Sequence, residues 1–265
     1  MTYPPASTPD PVAGAPLPGP VSIRLPSAPP RVTYTILAVT IGVYLLQMLT
    51  PNFANINGYW YDLPSALGAK FNDLIRDNGQ LWRLITPMLL HGSIFHIGFN
   101  MYALFSFGVG LERRFGHGRF LLLYLLGGFA GNVLSFLITP APSVGSSTAV
   151  FGLVAAEGVF LYQNRKLFGA ESKQAMGNVV SVVAINLLIG FTSGGLIDNW
   201  GHIGGLFGGL IFTWFSGPLW EVEGVYPLLR LVDRRSGGRD MIVGASAVLL
   251  IFGALALVGL FWPLV

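Results

Sequence analysis

Runs of apolar residues long enough to cross a bilayer constrain this chain more than any other feature. A helical span needs about 20 mostly apolar residues. Seven segments approach or meet that need: Val32 to Thr50, His91 to Leu111, Phe120 to Ile138, Ser147 to Gln163, Asn178 to Phe191, Gly201 to Leu219 and Met241 to Pro263. The fifth is the weakest, because Asn186 and flanking Gly and Ser residues shorten it. Only 10% of the residues are charged, against about 25% in soluble domains. The expected fold class is therefore an all-α polytopic membrane protein.

The remaining segments suggest an organisation. Residues 1–31 are rich in Pro, Ala and Ser and lack the basic start and apolar run of a signal peptide, so they read as a disordered cytoplasmic tail, partly polyproline II. The first loop, 51–83, mixes Tyr59, Trp60, Tyr61 and Trp82 with polar residues, a composition suited to the headgroup level. A six-span core over 32–219 would precede a cytoplasmic loop and seventh helix over 220–265. Alternate sides of this arrangement carry twelve Lys and Arg against three, Lys70, Arg76 and Arg83. The positive-inside rule then places the N-terminus in the cytoplasm and the C-terminus outside. A net charge of +3 with scattered carriers argues against nucleic acid, and the absence of cysteine removes thiol chemistry and disulfides.

Between the third and fourth spans lies Gly145-Ser146-Ser147-Thr148-Ala149-Val150-Phe151-Gly152, just after a loop containing Pro140 and Pro142. A serine at a helix start is ordinarily an N-cap, its hydroxyl satisfying an orphan backbone N–H. Depth argues for more. Ser147 is 18 residues before Arg165, His202 is 19 before Glu221, and His96 is 17 before Arg113. At 1.5 Å per residue these side chains stand roughly 26–28 Å above the cytoplasmic edge, with Asn100 one turn below His96. Ionisable and polar groups inside spans are costly and mark function by default, and here three spans bring them to one layer. Gly205 and Gly209 form a Gly-x-x-x-Gly face that admits a close neighbour, with Gly152 and Ala156 as its small-residue complement. Phe151, four residues after Ser147, shares its face and is placed to pack on the His202 ring. His91 and His96 are five apart with no carboxylate beside them, which does not suit a metal centre.

These residues resemble the rhomboid family of intramembrane serine proteases. The resemblance runs from about Leu81 to Gly209 and rests on Gly-x-Ser before Ala149-Val150-Phe151-Gly152, on His202 leading Gly205-x-x-x-Gly209, and on the series His91, His96, Asn100. Trp82-Arg83 and Glu112-Arg113-Arg114-Phe115-Gly116 belong to the same pattern. It implies a rhomboid-like six-helix bundle plus a C-terminal seventh transmembrane helix. The implied chemistry is cleavage of single-pass transmembrane substrates in the lipid bilayer, with Ser147 as nucleophile, His202 as general base and acid, and no cofactor. His96, Asn100 and the Ser147 backbone N–H would hold the oxyanion; His91, Phe151, Gly145, Gly205 and Gly209 would support them. The expected location is a bacterial-type plasma membrane, with the site near the outer face. Asp198 reads as a turn or cap residue rather than a triad member, and Glu157 as a residue paired inside the bundle. Thr148 stands where the family commonly has glycine and is expected to be tolerated. The alternative is a catalytically inactive rhomboid-like scaffold that binds membrane helices, and retention of both Ser147 and His202 favours the enzyme. A transporter fits less well, since no repeat with matched broken helices is visible.

Overall fold

The structure, a computed structural model, describes residues 27–226 and 228–262, so most of the expected 1–31 tail lies outside the described residues. Among the described residues the helices are α1 (Arg31–Leu49), α2 (Leu63–Gly68), α3 (Asn72–Arg76), α4 (Ile94–Phe115), α5 (His117–Ile138), α6 (Ser147–Gln163), α7 (Arg165–Thr192), α8 (Asn199–Ser216) and α9 (Gly238–Phe261). Five of these, α1, α4, α5, α7 and α9, are long and apolar enough to cross a membrane, and α6 is a shorter apolar helix of 17 residues. The protein is a mostly helical membrane protein.

Several boundaries differ from the sequence expectation for local reasons. α4 begins at Ile94 rather than His91, because the Ser93 hydroxyl accepts the His96 N–H at 3.2 Å and starts the helix there. His91 therefore sits in the segment before the helix. α7 runs from Arg165 instead of Asn178, bent at Gly169, whose φ of 55° and ψ of −129° suit only glycine. α8 stops at Ser216, ahead of Gly217-Pro218. The fold is also not purely α-helical. Strands β1 (Ala54–Ile56) and β2 (Tyr59–Tyr61) pair antiparallel in the first loop, and β3 (Trp220–Glu223) and β4 (Arg230–Asp233) pair antiparallel between α8 and α9. Asn57-Gly58, both at positive φ, make the tight first turn.

At the centre lies α5, packed against α4, α6, α8 and α9, with Leu123, Ala130, Val133 and Phe136 fully buried. α8 fits between α5 and α6, and backbone meets backbone there. A Cβ on Gly205 would run into the Thr148 carbonyl, and one on Gly209 into the Gly152 carbonyl. On the α5 side, a Cβ on Gly208 would stand 2.5 Å from the Ala130 Cβ. The four-residue spacing of these glycines keeps one face of α8 free of side chains, so the axes approach closely enough for short side chains to meet.

α1 shows how the outer helices are held. Its buried residues are Thr33, Thr40 and Gln47, one every seven positions, while Val39, Ile41, Leu45 and Leu49 point outward. This is the inverse of a soluble helix, as expected where lipid surrounds the bundle. The buried Glu112 of α4 accepts the Val32 N–H at 2.8 Å, the Thr33 N–H at 2.7 Å and the Thr33 hydroxyl at 2.6 Å, capping α1 across the interface. Gln47 at the other end donates to Ser65 Oγ at 2.9 Å and accepts the His91 N–H at 3.1 Å, tying α1 to the first loop.

The glycine contact gives a direct test. Gly209→Val should force α8 off α6, costing about 1–3 kcal/mol and lowering the melting midpoint in detergent by roughly 3–10 °C. Gly253→Val on α9, where nothing lies within 4 Å of the new Cβ, should shift it by no more than about 2 °C. Differential scanning fluorimetry of the two purified variants decides between them.

Candidate functional site

The loop between α5 and α6 sets where the first side chain stands. Pro140 and Pro142 keep residues 139–146 from continuing α5. Gly145, at φ 134°, turns the chain, and its N–H donates to the Pro87 carbonyl at 2.9 Å. Ser146, not Ser147, occupies the N-cap position, and no side-chain hydrogen bond caps α6. The first backbone bond back into the loop is Val150 N–H to the Ser146 carbonyl at 2.9 Å. The N–H groups of the residues before it, including Ser147, are thus left as helix-start donors.

Ser147 Oγ instead lies 2.9 Å from Nε2 of His202, on α8. The Phe151 ring stacks on the imidazole with centroids 4.1 Å apart and planes 10° from parallel. Stacking fixes the ring plane, and the Gly205 contact with the Thr148 carbonyl fixes the height of α8 one turn below. His202 is buried, and its Nδ1 has no hydrogen-bond partner among the described residues. With the proton on Nδ1, Nε2 accepts from the Ser147 hydroxyl. Thr148 does not hold the helices apart. It occupies a notch between Gly131 and Gly201, where a Cβ on Gly131 would stand 2.6 Å from the Thr148 Cβ.

The remaining sequence candidates divide. His96 is beside the pair: a Cβ on Gly145 would lie 2.8 Å from His96 Nε2 and 3.5 Å from Ser147 Oγ. Asn100 is buried on the same face of α4, and its amide donates to the His96 carbonyl at 2.9 Å. An amide carries two donor hydrogens, so one remains. His91 meets the neighbouring serine, its Nε2 3.2 Å from Ser146 Oγ, with its ring edge-on to His96 at 5.0 Å. Glu157 pairs with Arg114 on α4, away from the pair.

One cluster beside the site matches the sequence expectation only in the cap role of Asp198; its other members have no counterpart there. Asp198 caps α8 by accepting the Gly201 N–H at 3.0 Å, and it also accepts from the Ser135, Thr139 and Ser143 hydroxyls. Fully buried Lys70, from the loop between α2 and α3, donates to the Thr139 carbonyl at 2.6 Å. Burial lowers the Lys70 ammonium to about 8, against the opposing pull of Asp198. Burial alone would raise the Asp198 carboxyl, but the hydrogen bonds from Ser135, Gly201 and Ser143 and the charge on Lys70 hold it below its ordinary value. A lone lysine in a loop carries no sequence signal of burial, and hydroxyl spacing across a proline-rich loop has no period.

A serine hydroxyl on a stacked, buried imidazole, beside backbone N–H and imidazole groups, is equipped to attack a carbonyl and to stabilise the resulting oxyanion. Comparison with known proteins identifies relatives of the chain. Residues 78–218 match the Rhomboid domain family. The chain is 42% identical over 178 residues to Rhomboid protease GluP of Bacillus subtilis (strain 168), covering 67% of this chain and 33% of that protein. It is 34% identical over 186 residues to RHOMBOID-like protein 9, chloroplastic, of Arabidopsis thaliana, covering 70% of this chain and 42% of that protein. It is 36% identical over 135 residues to Rhomboid-like protease 3 of Toxoplasma gondii, covering 50% of this chain and 51% of that protein. The matched region thus spans between a third and about half of the length of these relatives.

Crowding at Gly145 makes a test of the local geometry. Gly145→Ala adds a methyl group against His96 Nε2 at a backbone angle that disfavours any side chain. The rate at which a serine-directed phosphonylating probe labels Ser147 should fall at least about tenfold, measured by time-resolved mass spectrometry of the labelled protein.

Proposed function

The chain belongs to the rhomboid family, and on that premise we propose that it is an intramembrane serine endopeptidase working through a Ser147/His202 dyad. The observation that carries this reading is the 2.9 Å approach of Ser147 Oγ to His202 Nε2 beneath the Phe151 ring. Ser147 Oγ attacks the scissile carbonyl carbon while Nε2 takes its proton. The tetrahedral oxyanion collapses, the C–N bond breaks, and the imidazolium returns the proton to the leaving amine. Water, deprotonated by the same imidazole, then adds to the acyl-enzyme and releases Ser147.

The oxyanion is held by the Ser147 N–H, the remaining Asn100 amide hydrogen and a His96 N–H. The positive end of α6 adds to them. Each donor counts for more where few waters compete. The substrate is a transmembrane segment of a single-pass protein that reaches the site from the bilayer, a proposal that rests on the family. The domain reading proposed is a six-span core over 32–219 plus the seventh helix α9, with the N-terminus cytoplasmic and the dyad near the outer face of a bacterial-type plasma membrane.

Fluorophosphonate labelling of the detergent-purified protein tests the chemistry. Wild type should label, Ser147→Ala should not, and His202→Ala should label at least about a hundredfold more slowly. Labelling of Ser147→Ala at the wild-type rate would refute the nucleophile; no labelling and no cleavage of a model transmembrane substrate would put the inactive scaffold ahead.

The chain has no cysteine of its own, so topology can be read with single introduced ones. Leu196→Cys, 90% exposed between α7 and α8, should react with a membrane-impermeant maleimide from outside intact cells. Ser236→Cys, exposed between β4 and α9, should react only after permeabilisation. Reaction of both from the same side would overturn the arrangement.

A further inference from the structure

Asp198 and Lys70 lie on two sides of one turn, the end of α5. Asp198 Oδ2 accepts from the Ser135 and Ser143 hydroxyls, the latter at 2.7 Å, and Oδ1 accepts from Thr139 Oγ1 at 3.1 Å and the Gly201 N–H at 3.0 Å. Lys70 Nζ donates to the carbonyls of two of the same residues, Thr139 at 2.6 Å and Ser135 at 3.4 Å. The Lys70 and Ser143 backbones also bridge, with N–H to carbonyl distances of 3.0 and 3.2 Å. The lysine thus supplies positive charge at the C-terminus of α5 and the aspartate negative charge at the N-terminus of α8, each on the favourable end of its helix dipole.

The sequence spacing gives this knot its meaning. Ser143 is four residues before Ser147, and Asp198 is four residues before His202. The His202 N–H donates to the Asp198 carbonyl at 3.1 Å in the first turn of α8. One carboxylate therefore holds the loop that leads to the serine and the helix start that leads to the histidine. A carboxylate offers about four lone-pair directions, and four donors already use them. None is left for an imidazole N–H, in keeping with the unpartnered His202 Nδ1.

We infer that Asp198, counter-charged by Lys70, is a positioning residue that braces the Ser147 loop against the His202 helix and sets the separation of the two reacting atoms, rather than a third catalytic residue. This rests on the dyad reading of Ser147 and His202. Severing the brace leaves substrate contacts in place and misaligns the pair, so it acts on turnover and not on binding.

The test uses the full-length protein with a model transmembrane substrate and the variants Asp198→Asn, Ser143→Ala, Ser143→Thr and the double variant Ser143→Ala/Asp198→Asn. A brace predicts that Asp198→Asn and Ser143→Ala each lower kcat about tenfold to a hundredfold with KM within about twofold of wild type. The double variant should be no slower than Asp198→Asn, because both changes cut one link, and Ser143→Thr, which keeps the hydroxyl, should recover to within about threefold. A triad role would instead give a fall of about 10⁴-fold in Asp198→Asn with Ser143→Ala nearly unchanged, and would overturn the inference, as would additive effects. Hydrogen exchange reads the brace without activity: both single variants should speed exchange at least about tenfold in residues 140–146 and at the start of α8 together. Unchanged exchange sinks the brace whatever the activity. Accelerated exchange in a wild-type-inactive protein would sink the dyad reading and leave the mechanical link standing.

Discussion

The contact between the backbones of α6 and α8 is the condition on which the rest of the site depends. Serine and histidine side chains are short, and a hydrogen bond of 2.9 Å between them cannot form between helices separated by ordinary side chains. Gly205 against the Thr148 carbonyl and Gly209 against the Gly152 carbonyl remove that separation over a full turn. The same closeness puts Phe151 over the His202 ring and makes the notch between Gly131 and Gly201 that takes Thr148. Helix packing here therefore sets the geometry of the Ser147–His202 pair.

A second constraint follows from the surroundings. Lipid does not solvate polar groups, so charged and strongly polar side chains inside the bundle are held by protein partners. The solution is long-range: Glu112 satisfies the first turn of α1, Gln47 reaches the His91 backbone, Arg114 pairs with Glu157, and Arg83 donates to the carbonyls of Ala66 and Ala69 at 2.7 and 2.8 Å. Apolar side chains face out on α1 and α9, where they contribute nothing to cohesion against lipid. Specific polar contacts and small-residue packing carry the fold in place of a hydrophobic driving force.

How much of this the sequence disclosed depends on whether an element has a period. Rise per residue put Ser147, His202 and His96 at one depth with Asn100 one turn lower, and the four-residue spacing of Phe151 and Ser147 aimed that ring at His202. The glycine spacing of α8 likewise announced a close neighbour. Loops have no such ruler. The burial of Lys70 and the convergence of three hydroxyls on Asp198 depend on where distant segments meet in space, whereas the β1–β2 hairpin carried a local signal in Asn57-Gly58 that the span pattern passed over. The bend at Gly169 was hidden for another reason: a single glycine in a polar stretch is as compatible with a loop as with a sharp break between two helical pieces, and here one piece follows directly on the other. At His91, apolar neighbours suggested a helix where the Ser93 cap delays it.

The 55 residues that separate Ser147 from His202 also set an order of events during synthesis. At about 5–20 residues per second, the histidine leaves the ribosome roughly 3–11 seconds after the serine. Through that interval α5 and α6 exist without the helix that packs against both, and the Ser147 hydroxyl has no imidazole beside it. α8 must then enter a slot already bounded by its neighbours, and its bare glycine face makes such late insertion sterically cheap. On the proposed dyad, the newborn protein stays inert toward its surroundings, the insertion machinery included, until nearly all of its core has been made.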